Sequence, residues 1–226
     1  MKTTRQRPGG FSLLELLVVI TIIGLLSSMA MSAIHSAQVA AHMAVATNNS
    51  KQIVLALKSY AADHHGLYPD ANRKNPPSTA NDAFRLLFQN GSLKDERIFS
   101  SPVSPYQPDG DFGGAPEFEK ALEAGENHWC LVKGISDATD GTAPVVFENA
   151  MSTSWPPAWN ATASGRPVEG RAWSGGRIIV ARNDGSSGPE RLESSDGNNV
   201  GLKSNDSGKN LFTLMSEEGS FLDIQR

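Results

Sequence analysis

The chain has 226 residues and a formal net charge of −4, with acids and bases interspersed along it. That length leaves room for one compact domain plus a long helix, and the lack of a basic stripe excludes a nucleic-acid-binding surface. Cys130 is the only cysteine, so neither an intramolecular disulfide nor a cysteine-based metal knuckle can form; a lone cysteine of this kind reads as a small core residue.

Lys2, Arg5 and Arg7 precede an apolar run from Phe11 to Ile34. As a helix this run spans about 36 Å, enough to cross a bilayer core of ~30 Å. A cleaved secretory signal would place its small-residue cut site after the apolar centre. Here the small pair, Gly9-Gly10, comes before it. A cut after Gly10 removes the basic leader and keeps the helix. The leader also sets orientation, with the N-terminus cytoplasmic and the remainder outside.

Glu15 is the one formal charge inside the run. A carboxylate in lipid needs a partner, and the macrodipole favours an acid in the first helical turn. A cut after Gly10 would free the amine of Phe11 one turn away. The partner amine is then the chain's own or that of a neighbouring copy, and in the second case docking neutralises two buried charges and fixes register. An acid that merely snorkels at the interface is the alternative, and it leaves the Gly-Phe junction unexplained.

The stretch GGFSLLELLVVITIIGLL resembles the signal of type IV pilins and type II secretion pseudopilins. The resemblance implies that a prepilin peptidase cuts between Gly10 and Phe11 and methylates Phe11, and that Glu15 supports assembly. It implies a structural subunit rather than an enzyme: a single-pass protein of the bacterial inner membrane, extracted by an assembly platform and its ATPase. Copies of itself and related pseudopilins are the implied partners, with membrane lipid before assembly. The head would be periplasmic, or extracellular after assembly.

Beyond Ile34 the pattern turns amphipathic. Val39, Met43, Ala46, Ile53, Leu57 and Tyr60 recur at three or four residues, and Ser50 fills the skipped position. No proline interrupts the chain from Phe11 to Leu67; Gly66 is the expected C-cap, with Pro69 beyond it. One helix therefore starts in the membrane and ends on a globular part. Small residues from Ser27 to Ala46 suit close helix approach in a filament, although a simple anchor with a helical stalk fits the same pattern. NNSKQIVLALKSYAADHHGLYP is similar to the end of this helix in secretion-type pseudopilins, matching at Asn48, Asn49, Lys51, Gln52, Ile53, Tyr60, Asp63, Gly66, Tyr68 and Pro69. The expected division is a leader at 1–10, a membrane or filament-core helix at 11–34, its amphipathic continuation at 35–66 and a loop-rich head at 67–226.

In the head, DAFRLLFQNG reads as a short helix with Ala83, Leu86 and Leu87 on one face, and PEFEKALEAG as another whose acids Glu117, Glu119, Glu123 and Glu126 form a solvated face. HWCLVKGI, APVVFENA and GGRIIVARNDG read as strands, with FTLM and SFLDI as further pieces. Three or four strands after one long helix imply an α+β fold, with an antiparallel sheet packed on the helix's second half. The resemblance implies the same pilin-like architecture. Two departures stand against a finer assignment. Ser101-Pro102 occupies a place where related pseudopilins have Cys-Pro, and Ser174 stands ten residues before Asp184-Gly185 where many relatives have His.

No nucleophile elbow, phosphate loop, HExxH or CxxC is present. His64 and His65 are adjacent, so on a helix they diverge by about 100° and share a metal poorly. Asp196-Gly-Asn198 resembles the start of a calcium loop but has Val200 at the fifth position and Ser207 at the twelfth. Some major pseudopilins bind calcium in a late loop, which makes Asp196 and Asn198 weak candidates for that ion; Asp109 to Gly114 is a weaker one, and no other cofactor is implied. Trp155, Trp159 and Trp173 cluster in loops and either pack the sheet edge or form a binding surface. The second alternative defines the competing reading, a membrane-tethered binding module.

Overall fold

The computed structural model describes residues 11–72 and 74–226. One helix, α1, runs from Leu13 to Asp63. The chain divides into two units, with the boundary between Ala40 and Ala41 inside this helix.

In the unit beginning at Ala41, α1 buries one face. Met43, Ala46, Ser50, Ile53, Val54, Leu57, Tyr60 and Ala61 lie on it at helical spacing. Val54 and Ala61 widen the expected stripe; Val39 lies in the other unit and is half-buried. Ser50, the polar residue in that stripe, is satisfied by the carbonyl of Thr47 at 3.0 Å and the Ser187 hydroxyl at 2.7 Å. The helix ends three residues before the expected glycine. His65 takes the left-handed position with φ 56°, and Gly66 follows with φ 79°. The Gly66 N–H reaches back to the Ala61 carbonyl at 2.8 Å, the bond of a Schellman cap. The chain then turns over the helix: Tyr68 is buried and donates to Asn183 Oδ1 at 2.6 Å. Burial pushes the Tyr68 hydroxyl up to about 12, with Asp137 adding to the shift.

The sheet has five antiparallel strands: β1 (Trp129–Val132), β2 (Pro144–Glu148), β3 (Arg177–Arg182), β4 (Ser187–Arg191) and β5 (Phe221–Leu222). Their order is β4-β3-β2-β1-β5. Trp129 pairs with Glu148 and Phe147 with Val180, while β3 and β4 form a hairpin in which Ile179 faces Pro189. Every residue of β1 and β2 is buried, so both faces of the central strands are covered. Phe147 meets Trp159, Phe212 and Phe221 edge-on. The edge strand β4 carries Pro189, which lacks the N–H another strand would need.

Three expectations need correction. α2 (Ala80–Gln89) forms with a Thr79–Asp82 capping box, but Phe84 and Phe88 complete its buried face and Leu86 is only half-buried. PEFEKALEAG is a series of turns, because tertiary partners take its backbone groups. Arg85 Nε takes the Ala121 carbonyl, Asn81 Nδ2 takes those of Leu122 and Glu123, and Glu96 and Glu126 accept the Leu122 and Glu123 N–H groups. Glu126 is therefore buried, while Glu117, Glu119 and Glu123 are exposed as expected. FTLM is a short helix, α3 (Leu211–Met215), because the Asn210 side chain caps the N–H groups of Phe212 and Thr213.

The β3 entry depends on a glycine. Gly176 has φ 62°, and a Cβ there would lie 2.6 Å from the Ser194 carbonyl and 2.8 Å from the Ser195 Cα. Backbone on both counts cannot rotate away. Gly176→Ala is expected to destabilise the head by roughly 2–3 kcal/mol, summing left-handed strain and overpacking; thermal melting of the detergent-solubilised chain measures it.

Candidate functional site

Among the described residues, the start of α1, a buried polar cluster in the head and a trio of carboxylates carry unusual chemistry.

α1 opens at Ser12, whose carbonyl accepts the Leu16 N–H at 3.2 Å. The Ser12 hydroxyl faces the Leu14 N–H at 3.3 Å, and Glu15 Oε2 accepts the Ser12 N–H at 2.9 Å. Seen only as a charge, Glu15 is costly; as the last residue of an S-x-x-E cap, the third of the helix, it satisfies a helix-end donor and complements the macrodipole. The motif Ser12-Leu-Leu-Glu15 was the sequence signal for that cap. After Glu15 the exposed side chains from Leu16 to Leu26 are apolar except for Thr21. Thr21 donates to the Leu17 carbonyl at 2.7 Å and Ser28 to that of Leu25 at 2.8 Å, so these hydroxyls are satisfied within the helix, as an apolar solvent requires. The helix is long and apolar enough to cross a membrane, with a window of mean hydropathy 2.3. Gly10 and the basic leader lie outside the described residues; Phe11 is non-helical and exposed.

Residues 5–31 match the model of the prokaryotic N-terminal methylation motif. The chain carries a prepilin signal. The signal implies processing by a prepilin peptidase and assembly with pilin-like subunits, and the apolar helix beside it suits membrane anchoring. No curated protein and no solved structure matches it. The prepilin signal, the long helix and the antiparallel sheet together give a pilin-like α+β fold.

The head cluster centres on Glu148 at the end of β2. Its carboxylate accepts from His128 Nε2 at 3.1 Å, Trp173 Nε1 at 2.8 Å and the Ile179 N–H at 2.8 Å, with Arg171 at 3.9 Å. The side chains of His128, Glu148 and Arg171 are at most 1% exposed, so no solvent screens them. Burial pushes the His128 imidazole down and keeps it neutral. Burial opposes ionisation of Glu148, but its hydrogen bonds and Arg171 outweigh that and hold its carboxyl below the usual range. Arg171 lies over the Trp173 ring, 4.1 Å from its centroid, and donates to the Val103 carbonyl and the Ser101 hydroxyl. The order Ser104–His128–Glu148 is that of a nucleophile relay. It is sealed: Ser104 is buried and its hydroxyl also accepts the Tyr106 N–H. HWCLVKGI and APVVFENA read as apolar runs and Trp173 as a loop aromatic, yet the titratable residues within or beside them, His128, Glu148 and Arg171, form this cluster.

The other sequence candidates are scattered. Asp196 accepts from the Thr162 hydroxyl at 2.6 Å and from the Gly197 N–H, and Asn198 lies exposed in the same turn. His64 stacks on Tyr60 with centroids 3.8 Å apart, while His65 forms the helix cap. Trp159 and Trp173 are interior. Trp155 is half-buried, donating to the Ser216 carbonyl and meeting Phe212 edge-on. Of the two alternatives for these tryptophans, packing is what the structure shows for Trp159 and Trp173. Cys130 is buried and donates to Asp223, and burial pushes its thiol well up, so it is inert as a nucleophile.

Glu96, Asp109 and Glu126 bring three carboxylates together. The oxygens of Glu96 and Glu126 accept the N–H groups of Gly110, Leu122, Asp109 and Glu123, stapling these turns. Burial raises both carboxyls above the usual range, with Asp109 adding to it. A carboxyl raised in the folded state stabilises below its unfolded pKa, and that contribution is lost as pH rises through the folded value. At neutral pH the ionised Glu96 and Glu126 are therefore a net cost. Asp109→Asn keeps the oxygen that accepts the Asp111 N–H and removes a charge. It should stabilise the head by roughly 0.5 kcal/mol at pH 7, with the gain vanishing near pH 3; melting curves at both pH values check this.

Proposed function

We propose that this chain is a structural subunit of a type II secretion pseudopilus, cleaved between Gly10 and Phe11 and methylated on Phe11. The observation that carries the reading is the prepilin signal ending in a capped apolar helix, with Glu15 at its exposed mouth. The leader, 1–10, is removed; 11–34 forms the membrane span and later the filament core; 35–66 continues the helix onto the head at 67–226. The N-terminus is cytoplasmic and the head faces the periplasm, consistent with Lys2, Arg5 and Arg7 preceding the span. Glu15 Oε2 caps the chain's own helix, which leaves Oε1 for the amine of a neighbouring copy. The subunit does mechanical work and no bond chemistry.

The likeness of NNSKQI and GLYP to secretion-type subunits favours a pseudopilus over a surface pilus. The structure gives that stretch a physical role: Asn49 donates to the Ser100 carbonyl at 3.1 Å, and Tyr60, Gly66 and Tyr68 build the turn from helix to head. Deleting the gene tests the choice. A pseudopilus subunit leaves exported enzymes trapped in the periplasm with surface fibres intact; loss of fibres with normal export would point to a pilus instead.

A further inference from the structure

Among the ties that hold the β2–β3 loop, residues 149–176, to the rest of the head, one runs through the His128 imidazole. Asn149 donates from Nδ2 to His128 Nδ1 at 2.8 Å and to the His128 carbonyl at 3.1 Å. Asn149 Oδ1 accepts the Gly170 N–H at 2.7 Å. That last bond fixes the amide: it cannot flip without setting its NH2 against Gly170. His128 Nδ1 must therefore be an acceptor, and Nε2 carries the proton donated to Glu148. Ser104 supplies a second donor to Nδ1 at 2.9 Å. The charged groups facing His128 are Glu148 from β2 and Arg171 from the β2–β3 loop; the loop before β1 presents only the Ser104 hydroxyl, and β1 presents the Trp129 ring.

We propose that His128 is an acid-sensitive latch whose protonation releases the 166–173 stretch of the β2–β3 loop while the sheet stays folded. A proton on Nδ1 points N–H at N–H toward Asn149. The Ser104 hydroxyl can rotate to accept it, but the Asn149 amide cannot. The same proton adds a second cation to a buried site where Glu148 and Arg171 already balance. The strain falls on the weakest attachment. Gly170 and Arg171 are loop residues, held through Asn149, Glu148, Val103 and Ser101 and by a single backbone bridge to Asn160 of the same loop, whereas β1, β2 and β3 are held by their ladders. His128 is held below the ordinary imidazole value, so release comes below about pH 6.5.

Hydrogen exchange of the detergent-solubilised full chain, corrected for intrinsic rates, tests this between pH 7.5 and pH 4.5. The expected result is a roughly tenfold or greater loss of protection in peptides covering 166–173, with β1 and β3 unchanged. The midpoint should coincide with the His128 ring titration followed by NMR. His128→Gln offers a donor at one end and an acceptor at the other and does not titrate, so it should keep the stretch protected throughout. Simultaneous loss across loop and strands, no loss at all, or an acid response that persists in His128→Gln would each overturn the latch. Should that variant fail to fold, mismatch between the wild-type ring titration and loop exchange would overturn it equally.

Discussion

Glu148→Ala is expected to unfold the head at growth temperature. The substitution leaves Arg171 buried beside no anion and strands the donors on His128, Trp173 and Ile179. Removing one partner of a buried ion pair costs about 3–5 kcal/mol, a large share of the stability of a domain this size. Denaturant melts of the detergent-solubilised chain, followed by near-ultraviolet circular dichroism, measure the loss. The double variant Glu148→Leu with Arg171→Met removes the orphaned charge as well and should recover part of it. Recovery distinguishes an uncompensated charge from simple loss of packing. If Glu148→Ala melts like the wild type, the cluster is not what holds the β2–β3 loop.

Glu15→Leu is expected to reduce incorporation into filaments to background while leaving the protein in the membrane. The leucine makes the span more apolar, so anchoring is retained. Glu15 has two separable roles, and Glu15→Gln divides them. Glutamine preserves the acceptor of the capping box but carries no charge to neutralise a neighbour's amine. If the charge drives docking, both variants fail to assemble; if the Ser12 cap alone matters, glutamine assembles and leucine does not. Fractionation of membrane and sheared filament pools reads both outcomes. The account predicts failure of both.

The N-terminal signal and its helix were legible because their physics is local. A basic leader, a Gly-Phe junction and an uncharged run broken only by Glu15 need no knowledge of the rest of the chain. The stripe from Met43 to Tyr60 is likewise set by helical period alone. The central strands were legible as apolar runs, which matches the full burial of β1 and β2. The head's polar cluster was not legible, since it joins His128, Glu148 and Arg171 across 20 to 43 positions of sequence with nothing local to pair them. The same reason explains PEFEKALEAG. Its composition favours a helix, but Asn81 and Arg85 on α2 claim its carbonyls from about 40 residues away. FTLM failed for a nearer cause: the Asn210–Thr213 cap is local, and apolar content outweighed it in the reading.

The mass of the N-terminal peptide, from protein purified from its own cells, tests the central claim most directly. A peptide beginning at Phe11 and carrying one added methyl group is the predicted result. An intact start at Met1, or a cut on the far side of the apolar run beyond Ile34, would contradict it and return Glu15 to the status of an unexplained charge in a simple membrane anchor.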